Sequence, residues 1–344
     1  MNRRRPAGRR SFVTGFRVDP DDAGDGSVAP GPTMQTTTTN DTDSPDASGM
    51  ERGDPESTIP TGGLRIGLPK GRMQAEVDRL LEDCGLEVDV DRRGYRPRID
   101  GIEGIEAKRL KPQAILSMLA TGTRDLGFAG ADWVEEFEIG DEVVELLDTG
   151  LDRVRIVVAV PGDASIDRGG RVRIATEMPS IASRWACERG LDFSIVQSWG
   201  ATEVLPPEDA DAIVDIVQSG ATLAANGLQV VETISLSSTR VYASRKAMAC
   251  PDRRPTIDRL VDLLYSVLEA RSRYLIDLNV SAQRLGRVIE ILPCMREPTV
   301  SPLVGDGFAV RAAVPREGFP GLIAAIKAAG GTDLVVTEAR QVIP

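Results

Sequence analysis

The sequence predicts an α/β protein carrying a small βαββαβ domain at its C-terminal end. Three observations predict it. From Leu64 onward, short apolar runs alternate with stretches of helical spacing. After about Arg271 the rhythm becomes strand, helix, two strands, helix, strand. Residues 1–61 show neither pattern. From Asp19 to Thr61 the chain is dominated by Asp, Gly, Pro, Ser and Thr, with Thr36 to Thr39 in a row. Such a segment buries too little apolar surface to offset its ordering entropy, so a disordered tail is expected there.

Each element has its own signal. Leu64 to Leu68 reads as a short strand. Gln74 to Cys84 carries Val77, Leu80 and Leu81 at helical spacing, and Gly85 stops it. Asp125 to Ala129 reads as a buried strand. Val154 to Val160 is the clearest strand, closed by Pro161-Gly162. Strands follow at Arg173–Thr176, Phe193–Val196, Ala212–Val217 and Val241–Ser244, with helices over Ile181–Arg189 and Thr256–Ala270. Alternation of this kind implies parallel α/β layers. The last domain reads as strands at Tyr274–Val280, Thr299–Val304, Phe308–Val314 and Leu334–Glu338. Its helices fall at Gln283–Leu292 and Phe319–Ala329, which is the ferredoxin-like order.

Composition narrows the chemistry. The 344 residues carry a formal charge of −11 and only five lysines, which argues against a broad nucleic-acid surface. No apolar run is long enough to cross a bilayer. Arg9-Arg10 resembles an export signal, but Arg17, Asp19, Asp21 and Asp22 stand where an apolar stretch is needed, so a cytoplasmic protein is expected. The four cysteines are widely spaced, which disfavours disulfides and zinc. There is no histidine. Histidine-dependent triads are excluded, and the work falls to carboxylates, Arg, Lys, backbone amides or a hard metal.

Three segments are candidates for a site. Asp211 to Gly227 runs from a buried strand into a turn of small residues, Ser219, Gly220, Ala221 and Thr222, at a helix start. Its amides and hydroxyls suit an anion, and Asp215 suits ribose hydroxyls or a metal-bound water. An ordinary tight turn is the plainer reading of that chemistry taken alone. Lys70, Gly71 and Arg72 follow the first strand, where ligands of open α/β sheets bind; a basic surface turn fits equally well. Glu203 lies in a loop beyond Gly200. Arg109 and Arg155 are weaker candidates, Arg155 because it interrupts an apolar strand.

Taken together these segments resemble the ATP phosphoribosyltransferase family of histidine biosynthesis. The similarity runs from about Leu64 to the C-terminus. It rests on Leu64–Arg72, Asp125–Asp132, Arg173–Pro179, Asp211–Gly227 and Pro298–Leu303. The resemblance implies a two-lobed catalytic part over residues 62–253, shaped like periplasmic binding proteins, with mixed or parallel sheets. Lobe I is expected over about 62–155 plus 240–253, and lobe II over about 156–239. It implies a histidine-binding, ACT-like domain over 254–344. The implied reaction joins N1 of the ATP adenine to C1 of phosphoribosyl pyrophosphate, releasing pyrophosphate with Mg²⁺. Residue by residue, it implies Asp211, Asp215 and Ser219 to Thr222 for phosphoribosyl pyrophosphate. Lys70, Gly71, Arg72, Arg109 and Arg155 are implied for ATP or pyrophosphate. Lys70, Arg72, Glu203 and Asp215 are the implied catalytic set, and Asn279 with Ser301 the histidine site. No metal ligand is identified. A homo-oligomer, dimer or hexamer, and feedback inhibition by histidine are implied as well.

Two departures stand out. Many relatives carry Gly-Ser-Val-Glu where this chain has Gly200 to Glu203, and Gly-Phe-Gly where it has Gly150-Leu151-Asp152. Two other readings compete. A prephenate dehydratase combines a similar catalytic part with a regulatory domain, but its Thr-Arg-Phe signature is broken here at Val241. A solute-binding receptor would leave the last domain unexplained.

Overall fold

A computed structural model describes residues 63–89, 94–162, 164–166 and 169–343; the expected tail lies outside these. The chain begins with β1 (Leu64–Pro69), α1 (Gln74–Asp83), the short pair β2 (Val88–Asp89) and β3 (Arg98–Ile99), and β4 (Ile105–Leu110). It continues through α2 (Pro112–Thr121), β5 (Leu126–Gly130) and α3 (Ala131–Phe137) into β6 (Val143–Pro161). Next come β7 (Val172–Thr176), α4 (Pro179–Glu188), β8 (Phe193–Gln197), β9 (Ala212–Val217), α5 (Ala221–Ala225) and β10 (Leu228–Ser244). The eight long strands form one sheet in the order β4-β1-β5-β10-β6-β9-β7-β8.

The sheet is mixed, in keeping with the mixed or parallel sheets expected of the catalytic part. The outer strands pair in parallel, β1 with β4 and β5 on one side, β7 with β8 and β9 on the other. Between them β6 and β10 run antiparallel along most of their length. Only the buried stretches of these two strands were legible. Polar residues such as Glu145, Asp148, Arg153, Glu232 and Ser235 occupy the half-covered stretches and hide the strand period. The pattern also predicted nothing for β4, α2 and α3. In α2, Ile115 seats against the sheet because Gly67 and Gly127 leave room. A Cβ at Gly127 would lie 2.4 Å from its Cγ2.

The two long strands change partners along their course. β10 pairs with β5 through Thr239 to Ala243, and β6 pairs with β9 through Arg155 to Ala159. The change falls at a break in their mutual register, where Leu151 faces Thr239 and Val154 faces Ser237. One core lies under β1, where Leu64, Ile66 and Leu68 meet Val77, Leu80 and Leu81 of α1. The helices α6 (Arg245–Met248) and α7 (Arg254–Arg271) close it, with Ile257, Leu260 and Leu264 facing in. Another core joins β6, β7, β9 and α4 through Ile156, Val158, Ile174, Ile181 and Trp185. A buried carboxylate, Asp125, ties β1 to α7. It accepts from Arg65 N, Nε and Nη2 at 2.7–3.0 Å and from Arg253 Nη1 at 2.8 Å.

The last elements are β11 (Arg273–Ser281), α8 (Leu285–Ile291), β12 (Thr299–Pro302), β13 (Gly307–Pro315), α9 (Phe319–Ala329) and β14 (Gly331–Thr337). Their antiparallel sheet has the order β12-β13-β11-β14, the ferredoxin-like topology expected. Ile276, Leu278, Val280, Val310 and Val314 pack on Val288 and Ile326 of its helices. The remaining face of this sheet carries Asp277, Asn279, Ser301 and Arg311.

Candidate functional site

The carboxyl ends of three strands meet at the partner change. Val217, the last residue of β9, faces Arg155 of β6. Gly130, the last residue of β5, faces Thr239, which faces Leu151 of β6. The turn after β1 reaches the same place, since Arg72 Nε donates to Asp152 Oδ2 at 2.8 Å. A cavity of about 330 Å³ opens there, lined by Arg72, Glu203, Asp215 and every residue from Ile216 to Leu223.

The turn after β9 shapes one wall. Gly220 takes φ +82°, a left-handed conformation costing a side chain of the order of 1 kcal/mol. The following helix has only five residues, so the expected helix-start site reduces to the turn's own groups. Among the described residues, the amides of Ser219, Gly220, Thr222 and Leu223 find no backbone partner. That of Ala221 reaches Ser219 Oγ at 3.4 Å. Leu223 anchors the turn, buried among Val157, Ile213, Val217 and Leu228. Amides held open by an anchored loop suit a phosphate.

Asp215 supplies the carboxylate. Burial pushes its carboxyl up to about 6, and the negative charges of Glu203 and Glu177 add to this. Arg72 pulls in the opposite direction. Glu203 sits in a single helical turn, Thr202–Val204, entered through Ala201 at φ +50°. The hydroxyl of Thr202 is buried against Ser198 Oγ at 2.7 Å, so it does not stand in toward the cavity for the serine that relatives carry beside it. Among the described residues, Arg72 is the one cation lining the cavity.

A neighbouring cavity of about 320 Å³ shares Gln218 with the first. Arg153, Arg155 and Arg240 line it, with Asp148, Leu236, Ser237 and Ser238. Arg155 therefore faces this second space, its Nη1 3.5 Å from Thr233 Oγ1. Arg153, Arg240 and Asp152, which lies in the register break of β6, were not legible as site residues. Asp152 had one signal, its place at a glycine of the family's turn.

Two other expected site residues line neither cavity. Asp211 stands before β9, at the end opposite the turn. There it fixes Arg173 through its backbone and its guanidinium, at 2.8–3.2 Å, and reaches no part of the cavity. Arg109, at the end of β4, is 5% exposed and lines neither cavity, being turned to Asp78 Oδ1 at 3.1 Å and the Pro69 carbonyl at 3.3 Å. Its Nε and Nη2 have no partner among the described residues. Lys70 does not line the first cavity; its Nζ lies 5.4 Å from the centre of the Tyr95 ring. Gly71, between Lys70 and Arg72, turns the chain at φ +85°.

In the last domain, Asn279 and Ser301 both face Ala309 across adjacent ladders, so they lie in one row on one face of the sheet. Asn279 Nδ2 donates to Asp333 Oδ2 at 3.1 Å. Among the described residues no group of three or more His, Cys, Asp or Glu is arranged to hold a metal, and no helix is long and apolar enough to cross a membrane.

Known proteins match this arrangement over most of the chain. Residues 111–266 match the model of the ATP phosphoribosyltransferase family, and residues 270–341 match that of its C-terminal domain. An ATP phosphoribosyltransferase of Pelotomaculum thermopropionicum is 36% identical over 82% of this chain and 99% of its own length. One of Chlorobaculum parvum is 33% identical over 81% and 97%. Among solved structures, the ATP phosphoribosyl transferase (HisG:HisZ) complex of Thermotoga maritima contains a chain 26% identical to this one. It covers 60% of this chain and 98% of its own length, with a TM-score of 0.54. The dehydratase and receptor readings give way to these matches. The chain belongs to the ATP phosphoribosyltransferase family in its long form, the transferases that join ATP to phosphoribosyl pyrophosphate at the first step of histidine biosynthesis.

Proposed function

We propose that the cavity between Arg72 and Thr222 takes phosphoribosyl pyrophosphate, and that the adjoining arginine-lined space takes the phosphates of ATP. One observation carries this reading: an anchored turn of open amides, a carboxylate and a cation line one cavity at the meeting of strand ends. Ser219 to Thr222 hold the 5′-phosphate. Asp215 accepts from the ribose hydroxyls, and Glu203 stands beside it. Arg72, with Lys70 behind it, takes the pyrophosphate. Arg153, Arg155 and Arg240 attend ATP. The unpartnered nitrogens of Arg109 make it a reserve of positive charge behind β1.

The N1–C1′ bond forms as the bond from C1′ to the pyrophosphate oxygen breaks, and the electron pair leaves with pyrophosphate. Adenine N1 already carries a lone pair, so the reaction needs alignment and charge stabilisation more than a base. Arg72 meets the charge that develops on the leaving oxygens. Mg²⁺ binds substrate phosphates together with one or two carboxylates, and Asp215 and Glu203 are hard oxygen donors in the right cavity for it. It would supply charge neutralisation of the pyrophosphate.

Residues 62–253 form the catalytic part and 254–344 the regulatory one, with histidine bound near Asn279 and Ser301. The enzyme works in the cytoplasm as a homo-oligomer, dimer or hexamer. Thr222→Val keeps shape and removes one hydroxyl to an anion, a loss of about 1.5 kcal/mol. Pyrophosphate release should then show a KM for phosphoribosyl pyrophosphate raised about tenfold; an unchanged KM sinks the assignment of the turn. Asn279→Ala should raise the histidine concentration for half-inhibition several-fold, and an unshifted inhibition curve refutes that site.

A further inference from the structure

Asp152 combines three features that are rarely found together. Its backbone is left-handed, at φ +47°, in a residue that is 8% exposed. It lies in the register break of β6, where the sheet changes partners. Its carboxylate, with the side chain 3% exposed, accepts from Arg72 Nε at 2.8 Å, while its amide donates to Glu76 Oε2 at 2.9 Å. A left-handed aspartate strains the backbone, and burying a carboxylate costs free energy unless it is paired. Glycine would remove both costs, so the carboxylate at this place needs a use.

The geometry of Arg72 points to that use. Asp152 engages the inner edge of the guanidinium through Nε only. The two terminal nitrogens have no partner among the described residues, and the side chain lines the cavity. A guanidinium held at Nε presents its terminal fork in a fixed plane, the arrangement that pairs with two oxygens of a phosphate. Arg72 is also close enough to Asp215 to favour its ionised form, so its charge sits between Asp152 and the opposite wall. Left unheld, the same arginine has Asp132 and Asp215 as competing anions.

We propose that Asp152 is a positioning residue, which grips Arg72 at Nε and aims its fork at the pyrophosphate of phosphoribosyl pyrophosphate. Asp152 needs no contact with substrate for this. The proposal rests on the assignment of the first cavity, and the experiment separates the two.

The test is steady-state kinetics and thermal unfolding of Asp152→Gly and Asp152→Asn, alone and each combined with Arg72→Gln. Glycine suits the left-handed backbone, so Asp152→Gly should unfold no earlier than the parent while its KM for phosphoribosyl pyrophosphate rises about tenfold and that for ATP stays within twofold. Asparagine still accepts from Nε through Oδ1, so Asp152→Asn should recover most of the affinity. In the Arg72→Gln background neither change should raise KM further. A merely structural aspartate would lower the unfolding temperature, or raise both KM values together, and either result overturns the proposal. So does tighter binding of phosphoribosyl pyrophosphate by Asp152→Gly, which would make Asp152 a competitor for Arg72. If Thr222→Val raises that KM and Asp152→Gly does not, the cavity assignment stands and this proposal alone falls.

Discussion

Asp215→Asn should yield an enzyme that is more stable above neutrality and less active. The carboxyl of Asp215 is raised from its ordinary 3.8 to about 6 by burial first, then by Glu203 and Glu177. The folded state thus prefers the protonated form more than the unfolded chain does. Folding stability from this group is full below pH 4 and is lost as pH rises through 6. At about 1.36 kcal/mol per pH unit the loss comes to about 3 kcal/mol. Asparagine mimics the protonated acid, keeps an acceptor for the Ile216 amide, and escapes the loss. At about 2 °C per kcal/mol for a chain of this size, the variant should melt about 6 °C above the parent at pH 7.5. The two should melt together near pH 4. Calorimetric scans of both proteins across that range measure the gap. A gap that does not change with pH refutes the electrostatic origin, and a variant that melts lower throughout refutes the burial argument. The same substitution removes the ionised carboxylate proposed to hold the ribose, so kcat/KM for phosphoribosyl pyrophosphate should fall at least tenfold at pH 7.5.

Two further substitutions probe the loop and the frame. Gly220→Ala meets no steric obstacle, the nearest atom to a new Cβ being Val217 Cγ1 at 3.7 Å, but it must hold φ +82°. It should cost of the order of 1 kcal/mol of stability and raise the KM for phosphoribosyl pyrophosphate several-fold; an unaltered KM would show that the turn's shape does not matter. Asp125→Asn leaves Arg65 and Arg253 facing a neutral amide in a buried setting. A loss of 3 kcal/mol or more is expected from denaturant titration, at the low end of the range of about 3–5 kcal/mol for a broken buried pair, and a loss under about 1 kcal/mol would mean the cluster is solvated.

The parts legible in the sequence share a physical property: one local pattern fixed them. The turn at Ser219 to Thr222 lies within ten residues of Asp215, so strand, carboxylate and small-residue turn could be read together. The last domain was legible because its strands and helices alternate with clean apolar periods. β6 and β10 were not, because their outer stretches are polar and their pairing joins residues some eighty apart. Arg109 and Asp211 could not be placed for a related reason. Each is a charge beside a strand, and sequence does not say which end of the strand faces the cavity or which neighbour takes the charge. Asp211 precedes β9 and pairs with Arg173, whereas Asp215, four residues on, faces the cavity.

The placement of the site follows from strand direction alone. β1 and β5 run parallel to the first half of β6, so their carboxyl ends arrive at its middle. β9 runs against the second half of β6, and its carboxyl end arrives at the same middle from the other side. Strands that end there deliver turns with open amides and side chains toward one another, the usual condition for a ligand site in an open sheet. The middle of β6 therefore touches both walls. It carries Asp152 to Arg72 on one side and Arg155 opposite Val217 on the other. A chain without histidine can work with such a site, since its charges come from groups already ionised at neutral pH and are held apart by the sheet rather than switched by a titrating base.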